Sequence, residues 1–384
     1  MNNFTFHNPV RVVFGRGSIA QLSQLVPRDT RLMLIFGGGS IKRNGVYNQV
    51  INALMEHDVI EFSGIEPNPL YETCMEAVRL AQEAKVGFLL AVGGGSVMDA
   101  AKFIAAAATY AGADPWDMVL KKAPVEAALP LGCVVTLPAT GSETNINAVI
   151  SRASTAQKIP FKSAFLYPQF SILDPDTTFS LPQRQLANGV VDTFAHVCEQ
   201  YLTYDVNAPL QDRQAEAILL TLIEEAPKLG GPEDNYDVRA NLMWCATQAL
   251  NHNLSCGVPT DWASHGIAHE LTALCGLDHA RALAIALPAL LHKQRQTKRA
   301  KLQQFASRVW GICDAIPDEA INKALTRTEE FFGSLGMATR LRDCNIPRNV
   351  IFQIAQRLGQ RQPLLGEHQN LGTAEIADIL EYAF

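Results

Sequence analysis

Short, almost wholly apolar runs alternate with helical patterns through the first half of the chain. These runs have the length of strands, and glycine or proline follows each of them closely: Arg31–Phe36, Gly87–Val92, Leu131–Leu137 and Phe170–Leu173. Strands without a polar face are typical of a parallel sheet that helices cover on both sides. The pattern therefore predicts an α/β domain near residues 1–178.

The pattern changes near Phe179, beyond which long helical patterns rich in alanine and leucine replace the strand-like runs. These patterns predict an all-α domain near residues 179–384. A chain of 384 residues suits two domains, at roughly 150 residues for each. At the beginning of the chain, Phe4–Phe14 alternates apolar and polar residues around Asn8 and Pro9, which predicts two short strands.

Composition and charge exclude several classes of protein. The net charge is −6 and no basic run is present, so we expect no nucleic-acid partner. The N-terminus has no signal-peptide pattern, and no apolar run approaches the roughly 18 residues that span a bilayer. The eight cysteines are scattered and never form C-x-x-C, which favours thiols in a reducing compartment. We therefore expect a cytoplasmic protein without a membrane partner.

Histidines concentrate in one stretch of the helical half. The chain has nine histidines, and three of them lie at His265, His269 and His279. The first two are one helical turn apart and share a face, and a Cys-Gly-Leu-Asp break before the third can end that helix. Imidazole nitrogen is the commonest nitrogen ligand for zinc and for ferrous iron.

A second helical stretch offers the carboxylate that a metal site of this kind needs. Asp192 and His196 stand at i and i+4 on one predicted face. We therefore predict that Asp192, His196, His265 and His279 bind one divalent metal with an open coordination position, as in catalytic sites. The alternatives are hydrogen-bonded core histidines, an Asp192 paired with an arginine, and a thiolate ligand from Cys256 or Cys275.

Glycine-rich turns follow two of the predicted strands, at Gly37–Ser40 and at Gly93–Ser96. At the carboxyl edge of a parallel sheet, such turns let the backbone and a helix N-terminus approach a diphosphate. A third polar loop, Thr136–Glu143, supplies hydroxyl groups beside them. Tight packing between strand and helix is the alternative reason for the glycines. Neither G-x-G-x-x-G nor the P-loop motif is present, so the ordinary forms of both nucleotide sites are excluded.

Taken together, these motifs resemble the iron-containing (group III) alcohol dehydrogenase family over essentially the whole chain. Within that family they are most similar to the NADPH-dependent aldehyde reductase, or butanol dehydrogenase-like, branch. The matching segments occur in the family's order: FxFxNPxRVxFGxGS at Phe4–Ser18, GGGSxxDxAK at Gly93–Lys102, PATGSE at Pro138–Glu143, LDP at Leu173–Pro175, the Asp192/His196 helix and the histidine cluster.

The resemblance implies a fold and a set of site residues. The fold is a Rossmann-like dinucleotide-binding domain followed by a helical metal-binding domain, the architecture of dehydroquinate synthase. Asp192, His196, His265 and His279 would bind Fe²⁺ or Zn²⁺, and His269 would be a catalytic non-ligand beside the nicotinamide. The residues expected to bind the cofactor are Gly37, Gly38, Gly39, Ser40, Gly94, Gly95, Ser96, Asp99, Thr136, Thr140, Asn145 and Lys158. For Asp99 a role in bracing the loop is the alternative.

The turn at Gly37–Ser40 bears on the choice of cofactor. Relatives in the family that use NAD tend to have an aspartate there, whereas this chain has Gly39, followed by Ser40 and by the cations Lys42 and Arg43. These differences favour the 2′-phosphate of NADP(H) over the 2′-hydroxyl of NAD(H). The alternative is that Lys42 and Arg43 only face solvent.

The function implied by the resemblance is reduction of aldehydes to primary alcohols, and the reverse, by hydride transfer to a carbonyl that the metal polarises. The partners expected are a small aldehyde or alcohol and a second copy of the chain in a homodimer. One alternative on the same fold is a polyol or glycerol dehydrogenase, or an enzyme like dehydroquinate synthase. Another is a catalytically inactive sensor of nucleotide or metal.

Overall fold

The computed structural model describes residues 1–362 and 364–384. Its strands all lie in the first half of the chain: β1 Arg11–Phe14, β2 Leu32–Phe36, β3 Val59–Phe62, β4 Phe88–Gly94, β5 Leu131–Leu137, β6 Asn147–Arg152, β7 Gln157–Lys162 and β8 Phe170–Leu173.

Helices lie between these strands and fill the second half. In chain order they are α1 Leu22–Leu25, α2 Ser40–Arg43, α3 Val46–Ala53, α4 Tyr71–Glu83, α5 Gly95–Ala107, α6 Trp116–Leu120, α7 Gln183–Tyr201, α8 Pro209–Glu225, α9 Tyr236–Ala249, α10 Ala263–Cys275, α11 His279–Lys293, α12 Arg299–Arg308, α13 Pro317–Ser334, α14 Asn349–Arg361 and α15 Thr373–Tyr382. Among the residues described, no helix is both long enough and apolar enough to cross a membrane.

The chain forms two units, which we name after their secondary structure. The sheet unit comprises His7–Pro182 and Asn235–Asn251, and the helical unit comprises Met1–Phe6, Gln183–Asp234 and His252–Phe384. The sequence pattern places α9 in the helical part, whereas in the structure it packs within the sheet unit. Whether each unit folds independently, as a domain would, stays a prediction.

Hydrogen bonds from two side chains of α9 hold this helix in the sheet unit. The Thr247 hydroxyl donates a 2.6 Å hydrogen bond to the buried carboxylate of Glu143, and the Arg239 guanidinium donates to the carbonyl of Thr178 at 2.9 Å. Both partners lie in loops that follow strands of the sheet. Sequence periodicity describes the helix itself but not the unit on which these bonds anchor it.

The main sheet is parallel and six-stranded, in the order β1-β8-β5-β4-β2-β3. Its central strand β4 is buried on both faces: Leu89 and Ala91 pack into the core formed with α4, α5 and α6, while Leu90 and Val92 pack into the core formed with α1, α2 and α3. A strand buried on both faces needs apolar residues at every position, so the predicted α/β fold is confirmed.

The order of the strands brings the predicted loops to one edge. Strand β4 lies between β2 and β5, and all three run in the same direction. The turn Gly37–Ser40, the Gly93–Ser96 turn and the Pro138–Glu143 loop therefore follow neighbouring strands at the same carboxyl edge. This is the edge at which open α/β sheets bind their ligands.

In the helical unit, α11 is the central element. It packs against α7, α10, α13 and α15, and its residues Ala282–Leu291 are buried on every face. The predicted break before it is present, since α10 ends at Cys275 and Gly276 takes a left-handed φ of 68°. That conformation favours glycine and turns the chain, so that α11 begins at His279.

The structure differs from the predicted secondary structure at several points. The segment Phe4–Phe14 contains one strand rather than two, because the part before Asn8 pairs with no strand of the sheet and residues Met1–Phe6 belong to the helical unit. The pattern did not predict the antiparallel hairpin of β6 and β7, whose short strands are interrupted by polar residues and Pro160. It also did not predict the last helix, α15.

Candidate functional site

The predicted metal ligands come from three helices of the helical unit. Helix α7 presents Asp192 and His196 one turn apart, α10 presents His265 in its first turn, and α11 begins with His279. Asp192, His196 and His265 are buried, and His279 is partly exposed. Because α11 packs against both α7 and α10, the three helices bring these four side chains together.

The three imidazoles converge on one carboxylate oxygen of Asp192. Asp192 Oδ1 lies 3.8 Å from His196 Nε2, 3.9 Å from His265 Nε2 and 3.8 Å from His279 Nε2. The ligand atoms of Asp192, His265 and His279 all lie within 4.8 Å of one another. Bonds of about 2.0–2.2 Å to a shared zinc ion place two ligand atoms no more than about 4.4 Å apart. The distances to Asp192 therefore suit one shared ion.

Asp192 also has an acceptor that a cation would satisfy. Its Oδ1 atom is buried and accepts no hydrogen bond from the residues that the structure describes. A buried carboxylate oxygen without a donor is costly, and a metal ion removes this cost. The donor set of one carboxylate and several imidazoles therefore fits Zn²⁺ or Fe²⁺.

His269 lies beside this cluster, one turn after His265 on α10. Its ring centroid is 5.0 Å from that of His279 and 6.3 Å from that of His265. Among the residues described, the ligand atoms that all lie within 4.8 Å of one another belong to Asp192, His265 and His279. The predicted ligand His196 lies outside this group, as do His269, Cys256 and Cys275. None of the eight cysteines, all of which the structure describes, forms a disulfide bond.

Glu199 is a carboxylate of this site that sequence reasoning missed. It lies on α7 three residues after His196, is buried, and its Oε2 atom contacts His265 Nδ1. Its other oxygen accepts a 2.7 Å hydrogen bond from the backbone N–H of Ser264. The signal that could have revealed it is the spacing i, i+4, i+7 of Asp192, His196 and Glu199, which places all three on one face.

The charge of Glu199 is sensitive to its surroundings. Burial raises the pKa of its carboxyl well above the usual range, and the nearby charge of Asp261 adds to this. The hydrogen bond from Ser264 and the charge of His196 lower it. A cation held by the neighbouring imidazoles would also favour the carboxylate form.

A second missed acid, Asp278, stands directly before His279. Its Oδ2 atom accepts hydrogen bonds from Arg184 Nε at 2.8 Å and from Asn188 Nδ2 at 3.0 Å. Arg281 Nε lies 3.8 Å from the same oxygen. Asp278 thus ties the start of α11 to α7, and Arg281 shares this carboxylate with Arg184.

In the sheet unit, packing by itself requires two of the predicted glycines. A Cβ at Gly93 would lie 2.6 Å from the side chain of Val97, and one at Gly95 would lie 2.5 Å from that of Thr140. Helix α5 begins at Gly95, so the first backbone N–H groups of that helix have no intrahelical acceptor. The glycines therefore serve close packing and also leave these donors unobstructed by side chains.

Asn68 links two of the predicted cofactor residues and was not predicted itself. Ser96 Oγ accepts from the backbone N–H of Asn68 at 3.2 Å, and Lys158 Nζ donates to Asn68 Oδ1 at 2.7 Å. Lys158 is buried and lies on β7 of the hairpin. Asn68 thus positions both side chains at the turn after β3.

Asp99 and Asn145 belong to a buried network around Lys102. Lys102 Nζ donates to Ser142 Oγ at 2.9 Å and to Asn145 Oδ1 at 3.1 Å, and Ser142 Oγ donates in turn to Asp99 Oδ1 at 2.7 Å. The second oxygen of Asp99 accepts from the backbone N–H of Val149 at 2.9 Å. Both oxygens of Asp99 are therefore engaged within the chain, which favours the bracing alternative for this residue.

The amide of Asn145 is equally committed. Its Nδ2 atom donates to the carbonyl of Leu250 at 3.2 Å, and its Oδ1 atom also accepts from the backbone N–H of Asn147 at 2.9 Å. Burial lowers the pKa of Lys102 to about 8 and raises that of Asp99. The arrangement favours a role for Asn145 in shaping the loop over direct contact with a cofactor.

The two predicted threonines lie at the same edge of the sheet. Thr136 is the penultimate residue of β5 and is buried. Thr140 lies in the loop after it, and its hydroxyl oxygen accepts from the backbone N–H of Ser142 at 3.2 Å. That bond leaves the hydroxyl hydrogen of Thr140 available for another acceptor.

The turn after β2 has a conformation and a charge pattern of its own. Gly39 has a left-handed φ of 85°, and a Cβ there would meet no atom within 4 Å. Ser40 begins α2 and is exposed. Lys42 Nζ forms a 3.0 Å ion pair with Glu61, which also contacts the Tyr47 hydroxyl, and Arg43 is exposed.

These features define a class of protein. The sheet unit has a parallel sheet with glycine turns at its carboxyl edge, and the helical unit has helices that gather imidazoles and one carboxylate. Together these features are typical of a metal-dependent dehydrogenase. The family model for iron-containing alcohol dehydrogenase matches residues 9–175, and the model for the C-terminal region of that family matches residues 186–384. The chain belongs to the iron-containing alcohol dehydrogenase family.

Comparison with individual proteins gives the same result. The chain is 54% identical to the NADPH-dependent aldehyde reductase YqhD of Escherichia coli K12, over 97% of each protein. It is 40% identical to the probable NADH-dependent butanol dehydrogenase 1 of Bacillus subtilis, over 99% of each. The crystal structure of YqhD from E. coli K-12 superposes with a TM-score of 0.98 at 52% identity and covers 100% of this chain and 99% of its own.

Proposed function

We propose that this protein is a metal-dependent, NADP(H)-linked oxidoreductase that reduces aldehydes to primary alcohols and catalyses the reverse reaction. The observation that carries this proposal is the convergence of three imidazole nitrogens within 3.9 Å of one Asp192 oxygen, in a chain of the iron-containing alcohol dehydrogenase family. The most similar of the relatives named above is called an NADPH-dependent aldehyde reductase.

The proposed ligands of the metal are Asp192, His196, His265 and His279. A divalent ion, Zn²⁺ or Fe²⁺, supplies a Lewis acid that polarises a carbonyl oxygen and stabilises negative charge on it. The chain fixes the direction of each ligand, because all four side chains stand on helices that pack together. Precise placement of this kind is the main contribution of a protein to such a reaction.

His269 is proposed as the catalytic residue that is not a ligand. Its ring stands 5.0 Å from that of His279, and its side chain is buried. A neutral imidazole can accept and donate a proton near neutral pH, which suits exchange of the alcohol proton with water. The proposal for His269 is a role in this proton exchange.

The proposed cofactor is NADP(H), which supplies or accepts the hydride. Gly94, Gly95 and Ser96 would bind its diphosphate through the backbone N–H groups at the start of α5, where the helix dipole favours an anion. Gly37, Gly38 and Gly39 would let the adenosine ribose approach the turn after β2. Thr136 and Thr140 would contribute hydroxyls, Lys158 a cation, and Asp99 and Asn145 would support the loop.

The preference for NADP(H) rests on the turn after β2. Gly39 brings no carboxylate that would repel a 2′-phosphate, and Ser40 can donate a hydrogen bond to it. The ion pair between Lys42 and Glu61 moderates the positive charge there. The exposed Arg43 adds a further cation. The names of the relatives do not by themselves identify the coenzyme, since one specifies NADPH and another NADH.

The alternatives on this fold are less well supported. A substrate that carries phosphate would need several basic side chains near the metal, and Arg281, which shares Asp278 with Arg184, is the only cation in the stretch Asp261–Leu287. The dehydroquinate synthase-like alternative is therefore not favoured, and the names of the relatives favour an aldehyde reductase or alcohol dehydrogenase over a polyol dehydrogenase. An inactive sensor is not favoured either, because the relatives named above are an aldehyde reductase and a probable butanol dehydrogenase.

We further propose that the protein is a cytoplasmic homodimer that acts on a small aldehyde or alcohol. None of the eight cysteines forms a disulfide bond, which supports a reducing compartment. The homodimer rests on the family resemblance. Light scattering of the purified chain tests the dimer, and cell fractionation tests the location.

The central experiment is metal analysis of the purified protein, paired with rates of coenzyme oxidation at 340 nm with butanal. We expect about one divalent ion per chain and a faster rate with NADPH than with NADH. His265→Ala should bind the metal much more weakly and lose activity, whereas His292→Ala, which removes an imidazole from the other end of α11, should match the wild type in both. A strong preference for NADH would overturn the cofactor proposal, and a His265→Ala variant with metal and activity would overturn the site.

A further inference from the structure

Glu199 occupies a place between two of the proposed metal-binding helices. It projects from the face of α7 that carries Asp192 and His196, and it reaches the first turn of α10. One of its oxygens accepts from the backbone N–H of Ser264, and the other contacts His265 Nδ1. Each oxygen of this buried carboxylate therefore has a different partner.

The contact with Ser264 fixes the carboxylate. The first N–H groups of a helix have no intrahelical acceptor, and a carboxylate oxygen at 2.7 Å from one of them is well held. The backbone supports the same junction, because the N–H of Asp261 donates to the carbonyl of Glu199 at 2.7 Å. Asp261 in turn accepts from the N–H of Ala263 at 2.9 Å. The end of α7 and the start of α10 are thus joined both through the side chain of Glu199 and through its backbone carbonyl.

The contact with His265 determines which ring nitrogen faces Asp192. A carboxylate oxygen at Nδ1 accepts the ring hydrogen there, so the lone pair of the neutral imidazole stands on Nε2. His265 Nε2 is the atom that lies 3.9 Å from Asp192 Oδ1. The acid therefore selects the tautomer of His265 that can bind a metal, and it also fixes the orientation of the ring.

From this geometry we propose that Glu199 is a positioning residue of the metal centre, which acts on the ion through His265. This inference rests on the proposed metal site and adds a residue to it. Carboxylates that orient a metal-bound imidazole in this way typically contribute 10–100-fold to metal affinity.

An amide cannot replace this carboxylate. Glutamine at position 199 would have one acceptor oxygen and one NH₂ group for two partners that both donate. If its oxygen faces Ser264, its NH₂ group faces Nδ1 and favours the hydrogen on Nε2, the tautomer that cannot bind metal. If the amide is turned round, the N–H of Ser264 loses its acceptor.

The test is the affinity of the full chain for Zn²⁺, measured after removal of metal by competition with a chromogenic chelator. Glu199→Gln should bind Zn²⁺ about 10–100-fold more weakly than the wild type. The matched control is Glu216→Gln, which alters another buried carboxylate of the helical unit, held by Tyr201 Oη at 2.9 Å. Its affinity for Zn²⁺ should equal that of the wild type.

A double-mutant cycle separates positioning from a general structural effect. In the His265→Ala background, Glu199→Gln should weaken Zn²⁺ binding by no more than about twofold further, because its target is gone. The visible absorption of bound Co²⁺ should also differ between Glu199→Gln and the wild type and remain unchanged in Glu216→Gln. Equal Zn²⁺ affinity of Glu199→Gln and the wild type, or an undiminished effect of Glu199→Gln in the His265→Ala background, would overturn the inference.

Three further outcomes separate a failure of this inference from a failure of the proposed metal site. If Glu199→Gln does not fold, Glu199→Asp replaces it; this variant keeps the acid but withdraws it from His265, so it should bind Zn²⁺ more weakly than the wild type, and equal affinity would overturn the inference. If the wild type itself binds no Zn²⁺ or Co²⁺, the proposed metal centre fails, and this inference fails with it. If His265→Ala weakens binding and Glu199→Gln does not, only the role of Glu199 is refuted.

Discussion

Several polar residues in the motifs of this chain bind other parts of the chain. Asp99 and Asn145 lie in segments that suggest cofactor contacts, yet each places its side chain in the buried network around Lys102. A buried polar atom must find a partner, and a loop that follows a strand offers many backbone partners nearby. Residue type and position in a motif therefore identify the loop, while hydrogen-bond geometry decides what each side chain does.

At the same scale, Gly39 gives a test of coenzyme choice. Aspartate at this position meets no atom within 4 Å of its Cβ, and aspartate tolerates the left-handed φ of 85° better than most residues. Its carboxylate would repel a 2′-phosphate and accept from a 2′-hydroxyl. We expect Gly39→Asp to shift the ratio of kcat/KM for NADPH to that for NADH by at least about tenfold toward NADH, which corresponds to about 1.4 kcal/mol.

Gly39→Asn is the control for this change. Asparagine has the same shape and the same tolerance of positive φ but no charge, so the backbone effect is common to both variants. Its coenzyme ratio should stay close to that of the wild type. An equal shift in both variants would show that backbone strain, rather than charge, is responsible.

At the scale of elements, a strand or helix is predicted from the sequence as accurately as its burial constrains its residue types. Strands buried on both faces, such as β5 and β8, are predicted with the bounds the structure shows, because burial leaves only apolar residues. The hairpin of β6 and β7 has a weaker pattern, since Pro160 and several polar residues interrupt its alternation. The anchoring of α9 depends on hydrogen bonds that no periodicity encodes.

One junction between elements depends on a buried cation. Lys298 Nζ, just before α12, donates to Asp261 Oδ2 at 2.9 Å and to Glu367 at 2.7 Å, and all three side chains are almost wholly buried. Burial and the neighbouring Asp261 raise the pKa of Glu367 to about 7. For Asp261, burial has the opposing effect, but the hydrogen bond with Glu367 and the charge of Lys298 lower its pKa.

We expect Lys298→Met to destabilise the protein by about 3–5 kcal/mol, because it leaves two buried acids without their cation. Urea unfolding followed by circular dichroism measures this change. Lys293→Met is the matched control, since its partner Asp378 is largely exposed, and it should cost no more than about 1 kcal/mol. Similar losses in both variants would contradict the importance of burial at Lys298.

At the scale of the whole molecule, the metal site illustrates what a sequence can and cannot show. The spacing of Asp192 and His196, and that of His265 and His269, follows from helix geometry and is visible in the sequence. Whether α7, α10 and α11 meet depends on tertiary packing, which only the structure shows. Glu199 was missed because a carboxylate on a helix is usually solvated, and its burial against His265 arises from that packing.

The two proposed ligands of the molecule bind different units, and this predicts a separable effect of each on local stability. The proposed metal ligands all belong to the helical unit, and the proposed diphosphate site at the start of α5 belongs to the sheet unit. A ligand stabilises the structure it binds by mass action, by about 2.7 kcal/mol at a free concentration 100 times its Kd. Removal of the metal by a chelator should therefore speed hydrogen exchange in α7, α10 and α11, while addition of NADP⁺ to the metal-free chain should slow it at the start of α5. In Asp192→Asn, which keeps the shape of the side chain but loses its charge, the chelator should change the exchange of these helices much less. A chelator effect in α5 with none in α7, α10 and α11 would place the ion elsewhere in the chain.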